Sequence, residues 1–173
     1  MNIVTLCTGN VARSVMLGYM LTTLAEVNGE DWHMRSAGTH VTEGSAMSGR
    51  TRTALMAIDE LGEHHFNAHR SHQLVPDDVA WADLILTSEA DHVGYVRATF
   101  PDASNKVVQL GLFARAAPVD GPLAHQLRAV TSRDPMSEYD VADPAGGDQG
   151  DYDRCAMQLW ELAQVFATLV GGD

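Results

Sequence analysis

The sequence contains only two cysteines, Cys7 and Cys155, among its 173 residues. Two cysteines cannot form a disulfide framework or a zinc site built from cysteine ligands. An isolated cysteine near the start of an intracellular protein is either a small buried hydrophobic residue or a nucleophile. The residues around Cys7 must therefore decide between these two interpretations.

Basic residues are also scarce, with 11 lysines and arginines against 23 aspartates and glutamates and a formal net charge of −12. So acidic a chain offers little attraction to nucleic-acid phosphates, and we expect no nucleic-acid partner. Any anionic substrate must be captured by a local group of donors, because the overall field of the protein repels it.

Long hydrophobic runs are missing as well, and none approaches the roughly 18 residues that span a bilayer. The N-terminal residues lack the basic region of a signal peptide. We therefore expect no membrane association and a cytoplasmic location. Hydrophobic residues make up 45% of the chain, which is a globular composition, and residues 1–173 are expected to form one domain.

Short β-branched and apolar runs alternate with helical patterns along the chain. Strands are predicted over residues 2–6, 33–37, 82–87 and 106–110, and helices over 14–28, 51–61, 89–100, 123–130 and 151–170, with a short one from Pro76. The stretch 111–148 is expected to be the least regular. This alternation predicts an α/β fold with three layers, in which helices cover both faces of a four-stranded parallel sheet.

The most informative string lies between the first predicted strand and the first predicted helix, and reads Cys7-Thr8-Gly9-Asn10-Val11-Ala12-Arg13-Ser14. A loop in this position presents backbone N–H groups to an anion, and the helix dipole adds a favourable potential. Gly9 and Asn10 tolerate the positive φ angles that such a loop requires. Residues Thr8 to Ser14 are therefore predicted to bind phosphate.

Cysteine-dependent phosphoryl transfer would use three side chains of this loop. Cys7 would be the nucleophile, and Arg13 would hold two phosphate oxygens in a bidentate contact. Ser14 would donate a hydrogen bond to the sulfur when it departs as a leaving group. Such chemistry needs no metal or organic cofactor, and the histidines show no paired ligand spacing. The pair His64-His65 is expected on the surface.

The chain resembles the low-molecular-weight protein tyrosine phosphatases over nearly its whole length. The resemblance rests on the string from Val4 to Ser14 and on three weaker motifs, which are Ser36-Ala37-Gly38-Thr39, His69-Arg70-Ser71 and Asp140-Val141-Ala142-Asp143-Pro144. It implies the fold of that family and hydrolysis of phosphomonoesters through a phosphocysteine intermediate. The substrate would be a phosphorylated protein or a small phosphomonoester, and the product would be inorganic phosphate.

The same resemblance assigns roles to residues outside the loop. Asp143 would protonate the leaving oxygen and then act as a base toward water. Asp134, which also precedes a proline, is a rival for this role. Asn10, Ser36 and His69 match positions that hydrogen-bond together in the family and hold the loop in its conformation.

Two departures from the family pattern concern oxidation and substrate choice. Ala12 stands where many members carry a second cysteine that can form a protective disulfide, so Cys7 is expected to be more open to over-oxidation. Ala145 follows Asp143-Pro144 where a tyrosine is common, and the opposite aromatic would fall near Val41 or Thr42. Neither aromatic wall of a phosphotyrosine slot is evident in the sequence.

Three alternative functions would use the same loop in a different way. An arsenate reductase would need further cysteines to relay a disulfide, and residues 81–91 contain none. A phosphoarginine phosphatase stays open, although Val11 offers no polar group to a guanidinium. A non-catalytic phosphate-binding module would have no use for a proton donor, so the joint presence of Cys7, Arg13 and Asp143 argues against it.

Overall fold

A parallel four-stranded sheet forms the centre of the computed structural model, which describes residues 1–62, 64 and 66–171. The strands are β1 (Asn2–Cys7), β2 (His33–Gly38), β3 (Leu84–Thr87) and β4 (Val107–Gln109), and their order in the sheet is β2-β1-β3-β4. In register, Cys7 lies beside Gly38, and Leu6 lies beside Thr87. The carboxyl ends of the three neighbouring strands therefore meet at one edge of the sheet.

Seven α-helices surround this sheet among the described residues. They are α1 (Arg13–Asn28), α2 (Gly49–Met56), α3 (Pro76–Trp81), α4 (Ala90–Thr99), α5 (Leu110–Ala116), α6 (Leu123–Thr131) and α7 (Gln149–Val170). No described helix is both long enough and apolar enough to cross a membrane.

Alternate strand residues send their side chains to two separate hydrophobic clusters, as the period of two in a β-strand requires. Ile3 and Leu84 join the larger cluster with residues of α1, α2, α5 and α7. Val4 and Ile85 join the smaller one, which packs against α3 and α4. Helices thus cover both faces, and the predicted three-layer α/β fold is confirmed.

Two helix predictions need correction. The helix expected over residues 51–61 begins at Gly49, where Ser48 accepts a hydrogen bond from the N–H of Thr51, and it ends at Met56. A separate 3-10 turn follows at Asp59–Leu61. Helix α5 lies in the stretch expected to be irregular and starts directly after the three-residue strand β4. Its buried residues Leu112 and Phe113 form too short a hydrophobic pattern to predict a helix from the sequence.

The expected surface pair His64-His65 is only partly described. His64 is partly buried, and its Nε2 lies 2.8 Å from the Thr23 hydroxyl. The ring of His64 also packs near Tyr19, at a centroid distance of 5.5 Å. The prediction of a surface position is therefore wrong for His64, and His65 lies outside the described residues.

Candidate active site

The loop between β1 and α1 forms a cup at the edge where the strands end. Helix α1 starts at Arg13, and its N-cap residue Ala12 provides no side-chain hydrogen bond to the first turn. The N-terminal end of α1 therefore directs uncapped N–H groups and the positive end of its dipole toward the cup.

The carbonyl groups of this loop are hydrogen-bonded on its outer side. The donors and acceptors are Thr39 N to Cys7 O at 2.9 Å, His40 N to Thr8 O at 3.0 Å, His69 Nε2 to Asn10 O at 2.8 Å, Ser48 N to Val11 O at 3.1 Å and Thr51 Oγ1 to Val11 O at 2.9 Å. Among the described residues, no partner accepts from the N–H groups of residues 9–12. These donors are consequently left for an anion inside the cup.

Asn10 fixes the conformation of the loop. It is fully buried and is the one described non-glycine residue with a positive φ, at 51°. Its Oδ1 accepts from the His72 N–H at 2.9 Å, and its Nδ2 donates to Ser14 Oγ at 2.9 Å. The side-chain amide thus ties the strained residue to the chain on both sides.

The same contacts determine where the Ser14 hydroxyl points. Because the Asn10 amide nitrogen can only donate, Ser14 Oγ accepts from it and keeps its own hydrogen for another partner. Cys7 Sγ lies 3.0 Å from Ser14 Oγ, within the buried base of the cup. When Cys7 is a thiolate the sulfur can only accept, so Ser14 then donates to it and stabilises its negative charge.

Arg13 is a buried cation with two carboxylate partners. Its side chain is 2% exposed, and Glu89 Oε1 and Asp143 Oδ2 lie 2.8 and 3.0 Å from its two terminal nitrogens. Nη1 also donates to the carbonyl of Val141 at 3.0 Å, and Nη2 reaches the Thr8 hydroxyl at 3.5 Å. These partners hold the guanidinium plane beside the cup.

His92 lies next to this ion pair as a neutral imidazole. Burial first, and then the charge of Arg13, lower the pKa of His92 to about 4. Its Nε2 lies 3.2 Å from Glu89 Oε2 and 3.0 Å from Thr8 Oγ1, so Nε2 carries the hydrogen that the carboxylate accepts. Its Nδ1 is buried without a described partner, so a proton added there would be unsolvated.

Glu89 and His92 are cup residues that sequence reasoning missed. A signal for them existed, because Glu89 follows β3 by two residues and ligands of parallel sheets bind beyond the carboxyl ends of the strands. Using that signal requires knowing that β3 is the neighbour of β1, which the sequence does not state.

The rival acids Asp143 and Asp134 occupy different surroundings. Asp143 binds Arg13, and its Oδ1 accepts from the N–H of Ala145 at 3.1 Å, on an exposed turn before α7. Asp134 is exposed beyond α6 and has no described contact with the cup. The geometry thus brings Asp143, and not Asp134, to Arg13.

The two remaining support residues differ in their contacts. His69 donates from Nε2 to the carbonyl of Asn10, since a carbonyl oxygen can only accept. Burial lowers the pKa of His69, so this ring is neutral near pH 7. Ser36 borders a small cavity beside His69 but makes no hydrogen bond to the loop in the described part of the chain.

The mouth of the cup is poor in aromatic side chains at the positions of the expected slot. Thr42 and Ala145 are exposed, and Val41 packs near Gly38. One aromatic pair lies beside the loop, where His40 and Tyr95 pack with ring centroids 5.8 Å apart. This pair adjoins Thr8 through the His40 N–H.

Cys155 is a buried thiol in α7. Burial raises the pKa of Cys155 to about 12, so it is protonated and a poor nucleophile at neutral pH. Cys7 and Cys155 are both free. No cluster of histidine, cysteine, aspartate or glutamate suited to a metal ion occurs among the residues that the structure describes.

Comparisons with known proteins agree on one group. A family model described as low molecular weight phosphotyrosine protein phosphatase matches residues 2–125, a range that ends before Asp143. A protein-arginine-phosphatase of Geobacillus stearothermophilus is 30% identical over 141 residues, which cover 82% of this chain and 76% of that relative.

Two solved structures extend this similarity to the fold. The C7S mutant of the YwlE arginine phosphatase, with a phosphorylated active site serine, gives a TM-score of 0.77 at 25% identity and covers 96% of this chain and 93% of that one. A low molecular weight protein tyrosine phosphatase from T. tengcongensis gives a TM-score of 0.76 at 25% identity, with 96% and 97% covered.

Proposed function

The chain belongs to the low molecular weight phosphotyrosine protein phosphatase family, and we propose that it dephosphorylates proteins through a phosphocysteine intermediate on Cys7. The observation that carries this proposal is the directed series of hydrogen bonds from His72 through Asn10 and Ser14 to the sulfur. It supplies a donor to a thiolate at the base of a cup of free N–H groups. A reducing, cytoplasmic compartment suits a mechanism that depends on a free thiolate.

In the first step the phosphate group enters the cup and binds the loop N–H groups and Arg13. Asp143 now occupies one terminal nitrogen of Arg13, so the phosphate displaces it from the guanidinium. A dianionic phosphate nearby favours the protonated form of the displaced carboxyl group. Cys7 then attacks phosphorus and forms the sulfur–phosphorus bond as the bond from phosphorus to the leaving nitrogen or oxygen breaks, and Asp143 transfers its proton to that leaving atom.

In the second step water hydrolyses the phosphocysteine. Asp143, now a carboxylate, takes a proton from the water whose oxygen attacks phosphorus. The sulfur–phosphorus bond breaks, inorganic phosphate is released, and the electron pair returns to Cys7. The Ser14 hydroxyl, which lies 3.0 Å from Sγ, stabilises the departing thiolate.

Phosphoarginine is the substrate class that we propose first. Two features support it over phosphotyrosine, and the first is the similarity of this chain to arginine phosphatases. The second is the surroundings of the cup, where Glu89 offers negative charge to a guanidinium and Val41, Thr42 and Ala145 offer no ring to a phenol. Phosphotyrosine is the second candidate, favoured by the His40–Tyr95 pair beside Thr8.

The mechanism is tested with para-nitrophenyl phosphate between pH 5 and 8, in reductant and EDTA. Cys7→Ser should lose at least about a thousandfold in kcat, as expected for a missing nucleophile. Asp143→Asn should lose about a hundredfold or more, because it cannot carry the proton. Asp134→Asn is the matched control and should keep wild-type kcat. A wild type no faster than Cys7→Ser would contradict the mechanism and support a phosphate-binding module instead.

The substrate is tested separately with peptides of one sequence that carry phosphoarginine, phosphotyrosine or phosphoserine. We expect the highest kcat/KM for the phosphoarginine peptide. A higher value for the phosphotyrosine peptide would transfer the assignment to the second candidate. Thiol-coupled turnover of arsenate, measured in the same preparation, would revive the reductase alternative.

A further inference from the structure

Three arginines that the proposed mechanism does not use line one surface cavity of about 700 Å³. Arg50 and Arg52 lie on α2, and Arg70 lies just after His69. All three side chains are exposed. We call this feature the arginine cavity, and its other named members below are Ser48, Asn67 and Gln149.

The arginine cavity is positively charged, although the protein as a whole is acidic. Three of the 11 basic residues of the chain line it, whereas the protein as a whole has a net charge of −12. Its lining includes no described aspartate or glutamate. None of the three arginines has a carboxylate within ion-pair distance among the described residues, so no described carboxylate neutralises their charges.

Neutral groups hold two of these side chains in place. Arg52 Nη1 donates to Asn67 Oδ1 at 3.0 Å, and Arg70 Nη1 donates to the backbone oxygen of Asn67 at 2.9 Å. Gln149 lies at the rim and donates from Nε2 to the backbone oxygen of Arg50 at 3.1 Å and to Asp153 Oδ1 at 2.7 Å. The Asp153 carboxylate, which does not line the cavity, is thus bound by the Gln149 amide, and the guanidinium groups keep donors for another molecule.

The arginine cavity is connected to two of the segments that form the cup. Ser48, which lines it, donates its N–H to Val11 O in the phosphate-binding loop at 3.1 Å. Gln149 begins α7, directly after the turn that carries Asp143. A polypeptide bound with its phosphorylated residue in the cup extends about 3.3 Å per residue, so residues three positions away lie roughly 10 Å from the cup.

We propose that the arginine cavity is a docking site for acidic side chains that flank the phosphorylated residue of a protein substrate. This inference rests on the proposed function, because it places the substrate residue in the cup. Glutamates and aspartates match unpaired guanidinium groups in charge and in bidentate geometry. The cavity offers an acidic substrate segment a positively charged surface on a protein whose net charge of −12 otherwise repels it.

The test compares two phosphopeptides that differ only in their flanks, one with three glutamates on each side of the phosphorylated residue and one with serines. In wild type, kcat/KM for the acidic peptide should be about tenfold above that for the serine peptide, and the difference should lie mainly in KM. The ratio is no larger because each exposed ion pair contributes little free energy. Arg50→Gln/Arg52→Gln should lower this ratio to about one. The matched control Arg128→Gln/Arg133→Gln removes the same charge from exposed positions near α6 and should keep the wild-type ratio.

Direct binding of the unphosphorylated acidic peptide, followed by fluorescence anisotropy, separates this proposal from the catalytic one. Binding that is lost in Arg50→Gln/Arg52→Gln and kept in the control would support the docking site even if no peptide is hydrolysed. Equal kcat/KM for the two peptides in wild type would overturn it. An equal loss of peptide binding in both double variants would also overturn it. So would a peptide that inorganic phosphate displaces from the Cys7→Ser protein while the arginine substitutions leave its binding unchanged.

Discussion

The two carboxylates on Arg13 differ in how easily each can leave. Breaking a buried ion pair costs about 3–5 kcal/mol when the charge that remains finds no new partner. A phosphate dianion supplies that partner, so one carboxylate can be exchanged for it. Asp143 is 42% exposed and Glu89 is 26% exposed, and Glu89 is also bound by His92. We therefore expect Asp143 to leave Arg13 when phosphate binds, and Glu89 to stay.

His92 should make the stability of the protein depend on pH. Its folded pKa of about 4 lies below the unfolded value of 6.5, so the unfolded chain binds more protons between these two values. The free energy of unfolding should therefore fall as the pH drops from 7 to 4.5, with about 2 kcal/mol of the fall due to His92. Urea unfolding at the two pH values, for wild type and His92→Gln, measures that share.

The control for this measurement is His33→Gln, because His33 is an exposed histidine on β2 with a side chain that is 63% exposed. It should leave the pH dependence of wild type unchanged. A fall between pH 7 and 4.5 that is as steep in His92→Gln as in wild type would show that other groups cause it.

At the scale of the elements, the cup depends on how closely strand β2 approaches the loop after β1. Gly38, the last residue of β2, lies beside Cys7 in register. A Cβ atom at this position would lie 2.5 Å from the backbone oxygen of Thr8 and 3.1 Å from the backbone nitrogen of Asn10. Both are backbone atoms of the cup, so neither can move aside without moving the loop between β1 and α1.

Gly38→Ala should therefore distort the cup. We expect a loss of about 1–3 kcal/mol in the free energy of unfolding, which is typical of overpacking. The kcat for para-nitrophenyl phosphate should fall at least about tenfold, because a small displacement of the N–H donors misaligns the phosphate.

Gly94→Ala is the matched control, since a Cβ atom on Gly94 in α4 would meet nothing within 4 Å. It should keep full activity and gain up to about 1 kcal/mol, because alanine is favoured over glycine inside a helix. Full activity in Gly38→Ala would mean that the loop tolerates a different path.

At the scale of the whole molecule, the sequence sufficed for those parts of the cup that are consecutive in the chain. Cys7, Arg13 and Ser14 lie in one short string between a strand and a helix, so pattern and spacing could predict their proximity. Glu89 and the arginine cavity come from distant segments that only the strand order and the course of α2 bring to the cup. Helix α5 was missed because it follows β4 directly and its 7 residues are too few for a clear helical periodicity of hydrophobic residues.

The net charge of −12 and the cup should respond differently to added anions. Sodium chloride screens the mutual repulsion of the carboxylates and should raise the melting temperature modestly. Inorganic phosphate at matched ionic strength should screen equally and, under the proposed mechanism, should also bind the N–H groups of the cup in the folded state. At tenfold its Kd, phosphate adds about 1.4 kcal/mol, or roughly 3–5 °C for a protein of this size. Differential scanning calorimetry in the two salts gives the difference between the two shifts in melting temperature.

Gly38→Ala should keep the chloride shift and lose the extra phosphate shift, because only the second depends on the geometry of the cup. Equal shifts in both salts for wild type would contradict phosphate binding at the loop.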